Sequence, residues 1–142
     1  MSGLVARTEA LEAEIQSLLA DYREHTAKRG IIAVRIGERL ARAHENSEWE
    51  PKYPTEDAFI FAMFGRSGPW GRALRELAEQ ARTWKPVMDA IEAGLDWTKA
   101  RHLVTLAEKL GEPVEKVVER VRHMTNRCVE ELLDSPRRSR EA

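Results

Sequence analysis

Leu4, Leu11 and Leu18 recur seven residues apart, and Thr8, Ile15 and Tyr22 each follow four residues later, a two-position heptad seam along one helix. Gly30 punctuates it. A seam of this kind serves either to pack the helix on the rest of its own domain or to pair it with a second chain through Leu4, Leu11, Ile15, Leu18 and Tyr22. A second helical run follows from Ile31 to about His44, with Ile32, Ile36 and Leu40 on one stripe and Arg35, Arg39 and Arg42 on others. Between Ser47 and Pro54 the periodicity lapses. Two prolines, Pro51 and Pro54, and two aromatics, Trp49 and Tyr53, mark a loop whose rings anchor it to the core.

Thr55, followed by Glu56 and Asp57, predicts a capped helix start, and the helix carries the apolar run Phe59 to Phe64 before Gly65 ends it. After Gly65-Arg66-Ser67-Gly68 a further helix reaches about Arg82 and turns Ala73, Leu74, Leu77, Ala78 and Ala81 inward; its early Pro69 is tolerated in a first turn. Trp84, Val87, Met88 and Ile91 form the next helical stripe, broken at Gly94. Asp96 caps a run with Trp97, Ala100, Leu103, Val104 and Ala107 at helical spacing, and Gly111 closes it. Pro113 restarts a helix bearing Val114, Val117, Val118 and Val121; Glu115, Lys116, Glu119 and Arg120 on the other face favour helix over strand. A last helix spans Thr125 to Leu133. No segment alternates with hairpin turns, so the expected fold is all-α: a multi-helix orthogonal bundle with a long N-terminal helix. The expected divisions are 1–30 for that helix, 31–134 for the helical domain and 135–142 for a disordered basic tail carrying Arg137, Arg138 and Arg140.

Composition changes this picture little. Charged residues make up 33% of the chain, yet 23 Lys and Arg balance 24 Asp and Glu, so no global field draws the chain to nucleic acid or membrane. The single cysteine, Cys128, excludes an internal disulfide and reads as a small buried residue on the last helix. With no signal-like start and no stretch near the roughly 18 apolar residues of a membrane span, a cytoplasmic protein is expected. His25, His44, His102 and His123 lie in different elements, none paired at i, i+4, and no phosphate loop, nucleophile elbow or dinucleotide fingerprint occurs. No metal, no cofactor and no catalytic residue is therefore expected, and the chain reads as a non-enzyme.

The most specific constellation is the pair of short helices, 55–64 and about 67–82, joined by a glycine-bearing turn, the pattern of a helix-turn-helix. Arg66, Ser67, Trp70, Arg72 and Arg75 stand near the second helix's start. There arginines fork onto guanine edges or phosphates, and a serine hydroxyl with unpaired helix-start N–H groups suits a phosphate. The same residues have a structural reading, in which Arg72 and Arg75 pair with Glu76 and Glu79 on the solvent face.

From residue 31 onward the order of features resembles the helical DNA-binding core of ParB- and KorB-type proteins and the helical domain that precedes HNH endonucleases in bacterial proteins. Ile36-Gly37-Glu38-Arg39-Leu40, the aromatic helix Phe59 to Phe64, Gly65-Arg66-Ser67 with Ala73-Leu74, and Pro86-Val87 through Ala93-Gly94-Leu95-Asp96-Trp97-Thr98-Lys99-Ala100-Arg101 carry it. Thr125, Arg127, Val129 and Glu130-Glu131-Leu132 resemble the closing helix pair. The resemblance implies a small DNA-binding protein of double-stranded DNA, a transcriptional regulator or a plasmid or phage accessory factor, without the nuclease or nucleotide-binding part. Trp70 and Gly71 depart from it, standing where polar base-readers are usual.

The second function consistent with these residues is a protein-interaction adaptor, for example one that binds a component of the transcription machinery. Near-neutral charge favours it, and an exposed Trp49 or Trp70 would be its anchor, whereas Trp84 and Trp97 read most readily as core. The two functions part at one patch. DNA binding needs Arg66, Arg72 and Arg75 unpaired and contiguous on the surface; an adaptor needs an apolar patch there or on the first helix.

Overall fold

The computed structural model describes residues 2–25, 28–66 and 68–135. Among them the chain is all-helical, with α1 (Ser2–Glu24), α2 (Arg29–Glu45), α3 (Glu56–Phe64), α4 (Gly68–Thr83), α5 (Lys85–Glu92), α6 (Trp97–Ala100), α7 (Leu103–Leu110), α8 (Val114–Arg122) and α9 (Asn126–Asp134). None of these helices is long and apolar enough to cross a membrane. The basic tail beyond Ser135 lies outside the described residues, as do its three arginines.

The chain forms two compact units, Met1–Glu79 and Gln80–Ala142, divided inside α4. In the first unit α1 packs on α2 and α3. Leu11 and Ile15, the centre of the heptad seam, are fully buried within this unit, while Leu4 remains 50% exposed. Thr8, the odd member of the seam, is also fully buried, and its hydroxyl donates to the Glu48 carbonyl at 2.6 Å. That bond satisfies a hydroxyl that would otherwise be costly to bury, and it holds the 46–55 loop against α1. Lys52 Nζ, 2.7 Å from Glu12 Oε1, and the Tyr53 hydroxyl, which also donates to Glu12, tie the loop down further along α1. Tyr53 meets Phe59 edge-on, with ring centroids 5.4 Å apart.

Arg39 departs from its expected place on a polar stripe of α2. It is buried, forking onto Glu48 through Nη1–Oε2 at 3.1 Å and Nη2–Oε1 at 2.7 Å, with Nε 2.8 Å from Glu14 Oε2. Two residues before it, Gly37 is buried where α2 crosses α4: a Cβ built there would lie 2.0 Å from the Leu74 carbonyl oxygen.

In the second unit α5 packs on α6 and α8, α7 on α8 and α9, and α6 on α9. All four valines of α8 are buried, as their helical spacing requires. The run expected as one helix from Asp96 to Leu110 is two. At Arg101 and His102 the chain turns, the His102 N–H reaching back only three residues to the Lys99 carbonyl, so Trp97 and Ala100 are buried in one helix while Leu103, Leu106 and Ala107 are buried in the next. Cys128 is exposed, correcting its expected burial: α9 turns Val129 fully inward, and the residue before it faces outward. Trp97 is core, but Trp84, in the linker ahead of α5, is 42% exposed.

Side-chain caps start three of these helices. The Thr55 and Thr125 hydroxyls accept the Ala58 and Cys128 N–H groups at 3.1 Å, and the Asp96 carboxylate accepts from Thr98. Thr55→Ala and Thr125→Ala are each expected to lower unfolding free energy by about 1 kcal/mol, read as a shifted urea midpoint at unchanged slope. A loss below about 0.3 kcal/mol in either would show that the cap does not hold that helix start.

Candidate nucleic-acid or protein interface

The pair α3 and α4 forms as its sequence dictates. Thr55 caps α3, Glu56 and Asp57 occupy its first turn, and Gly65 ends it in the left-handed region at φ 64°, its N–H bonded to the Phe61 carbonyl. That backbone conformation turns the chain sharply and favours glycine. Ser67 lies outside the described residues, so only four of the five expected contact residues have a described place.

Arg66 is exposed at the turn, its guanidinium 5.8 Å from the Trp70 ring centre, with no acidic partner among the described residues. Trp70 is half-buried, its ring centroid 4.8 Å from that of Phe64. Gly71 is buried under Ile60, whose Cδ1 lies 2.9 Å from where a Cβ would stand. It is a packing position where the resembled families place a base-reader.

Arg72 and Arg75 do not point outward unpaired. Arg72 Nη1 stands 3.4 Å from Asp57 Oδ1, and Arg75 Nη2 3.6 Å from Glu56 Oε1. Glu56 also takes the ring of His44, whose Nδ1 is 3.0 Å from its Oε2. The partners foreseen for these arginines, Glu76 and Glu79 on their own helix, are thus replaced by the first turn of α3. The start of α4 is likewise occupied. A Cβ on Gly68, its first residue, would meet Asp57 Oδ1 at 2.1 Å, so the Asp57 carboxylate fills the space where a phosphate would approach. The exposed positions of α4 beyond Pro69 are Arg72, Glu76, Glu79, Arg82 and Thr83, a face with equal numbers of each sign.

The surface that sequence reading missed is on α3. Phe61, at 65%, is the most exposed large apolar side chain among the described residues, and Ala62 beside it is exposed too. The signal was the run Phe59 to Phe64 itself: six successive apolar residues cannot all face one side of a helix. Phe59 and Ile60 are buried, so Phe61 and Ala62 face out.

Among the described residues, one group has ligand atoms close enough for a metal: Asp21, Glu24 and His25, within 4.8 Å of one another and all exposed near the end of α1. Clefts of about 570 and 480 Å³ flank α5, sharing Ala90, Ala93 and Arg122.

The chain is an all-α protein with a short helix pair joined across Gly65. It matches no family model, no curated protein and no solved structure.

Proposed function

We propose that the chain is a cytoplasmic protein-interaction adaptor that works by binding, with the outer face of α3 as its docking surface. The observation that carries this reading is the contrast across the helix pair. Arg72 and Arg75 of α4 are answered by α3's own acids, while Phe61 stands exposed with Ala62 and leads to Arg66, which has no acidic partner among the described residues. Exposed aromatics beside an arginine are the usual anchors of protein interfaces. The partner chemistry that fits is an apolar side chain to cover Phe61 next to a carboxylate to meet Arg66.

A second reading, a helix-turn-helix DNA-binding regulator of the kind the resemblance implies, is favoured by Arg66 alone, an exposed cation at the turn. Before touching DNA, Arg72 would have to leave an exposed pair with Asp57, at little cost, and Arg75 a partly buried pair with Glu56.

A displayed-peptide library, selected on the wild type, tests the adaptor reading. Enriched peptides should join an apolar anchor to an acidic residue, and Phe61→Ser should weaken their capture at least about tenfold. Failure to enrich any peptide sensitive to Phe61→Ser overturns it. In parallel, fluorescence anisotropy with a random duplex pool at roughly 50 and 200 mM salt should show no binding. Strong binding that falls with salt and shrinks in Arg66→Ala and in Arg72→Ala/Arg75→Ala would favour DNA instead.

A further inference from the structure

The docking face of α3 is symmetric in its chemistry. Asp57, Ala58, Phe61, Ala62, Gly65 and Arg66 follow one another at i, i+1, i+4, i+5, i+8 and i+9, so they line one side of the helix and its C-terminal turn. All but Ala58 are exposed, and Ala58 is half-buried. The acid stands at one end, the base at the other, and the midpoint between them falls between Phe61 and Ala62.

From this arrangement we infer that the occupant of the α3 face is a second copy of the same chain, docked antiparallel about a twofold axis beside Phe61. This rests on reading the face as a protein-docking surface. In that pairing Asp57 meets the partner's Arg66 at both ends, Ala58 lies across from the partner's Gly65, and Phe61 lies across from the partner's Ala62. Each element of the pairing answers a feature already present. Arg66 has no acidic partner among the described residues. Asp57 is exposed; its carboxylate lies over Gly68 at the start of α4 and its pair with Arg72 is a loose 3.4 Å, so the two oxygens keep lone pairs for a second cation. Small side chains opposite each Phe61 give the ring a place to lie without forcing the helices apart. A contact on one surface patch that is its own complement is what a closed twofold dimer requires.

An α3 of nine residues is about 13.5 Å long, so the buried area is small and the association falls in the micromolar range or weaker. Sedimentation equilibrium between about 5 and 500 µM should therefore show a concentration-dependent monomer–dimer equilibrium. Phe61→Ser, an exposed position that leaves the core untouched, should raise the dissociation constant at least about tenfold. Leu4→Ser, on the exposed end of α1, should leave it unchanged.

Charge exchange gives the sharper readout. Arg66→Glu alone puts an acid opposite Asp57 at both ends, and Asp57→Lys alone puts a cation opposite Arg66. Neither should dimerise with itself, while an equimolar mixture should form the heterodimer. Circular dichroism melting of each variant shows whether it is folded; if Asp57→Lys does not fold, Phe61→Ser and Arg66→Glu decide the question. A wild type that stays monomeric to about 500 µM, a dimer indifferent to Phe61→Ser, or one lost in Leu4→Ser would overturn the inference. The two readings fail separately. A monomeric wild type that still captures Phe61-dependent peptides keeps the docking surface and rejects the second copy, whereas loss of both rejects the surface itself.

Discussion

Arg39→Ala is expected to lower unfolding free energy by about 3–5 kcal/mol at neutral pH, enough to unfold a marginal domain. Arg39 and Glu48 are 8% and 9% exposed, and the guanidinium fork satisfies both carboxylate oxygens. Removing the arginine strands a buried carboxylate, which costs far more than the pair itself contributes. Arg39→Met/Glu48→Leu, which removes both charges and keeps the volume, should recover most of the loss. The pH dependence follows from the same geometry. Hydrogen bonds from Arg39 hold the Glu48 carboxyl below its ordinary value near 4.5, against the opposing effect of burial. A carboxylate lowered in the folded state stabilises above its unfolded pKa, and that contribution is lost as pH falls through the folded value. The gap between wild type and Arg39→Ala should therefore be widest near pH 7 and narrow below about pH 4.5, where the stranded Glu48 is relieved by protonation. Urea unfolding from pH 3 to 7 measures it; a neutral-pH loss below about 1 kcal/mol would show that water reaches the pair.

Gly37→Ala is expected to destabilise by about 2–3 kcal/mol, although helix propensity alone favours alanine by about 1. The new methyl would stand 2.0 Å from the Leu74 carbonyl oxygen, 2.8 Å from its carbon and 2.9 Å from Ala78 Cβ. Backbone atoms cannot rotate away, so the two helices must separate along their crossing. Ala78→Gly should not rescue the variant, because the carbonyl and not the neighbouring methyl is the nearest obstacle. Gly3→Ala in α1, where a methyl would touch nothing within 4 Å, is the control and should be neutral or slightly stabilising. An equal response at both glycines in urea unfolding would sink the close-crossing account.

What the sequence disclosed, and what it hid, divides along physical lines. Periodicity reveals a helix whenever one face is buried, which is why the Leu4 to Tyr22 seam, the valines of α8 and the stripe of α4 were legible. Caps and glycines located α3 and the start of α4 for the same local reason, since Thr55 and Gly65 act on neighbours three or four residues away. Partners distant in the chain left no such trace. Arg39 looked like a surface residue because the acid that draws it inward, Glu48, belongs to a loop without periodicity. Arg72 had acids on its own helix in view, yet it takes Asp57, fifteen residues upstream. The outward turn of Phe61 was veiled by an unbroken apolar run, which specifies a helix without saying which side is wet. Cys128 was misread because a helix as short as α9 buries few side chains, and Trp84 because it falls in the linker between α4 and α5, not on a helical face.

The bonds that pin the 46–55 loop to α1 also set an order of events. Thr8 waits for Glu48, and Glu12 for Lys52, across forty residues of chain. At a synthesis rate of about 5–20 residues per second, α1 emerges roughly 2–8 seconds before its covering loop. Throughout that interval Leu11 and Ile15 have no finished core to enter, so the nascent chain keeps these two apolar side chains exposed. One risk to this fold is therefore capture during its own synthesis, and a chaperone that shelters those side chains for a few seconds would remove it.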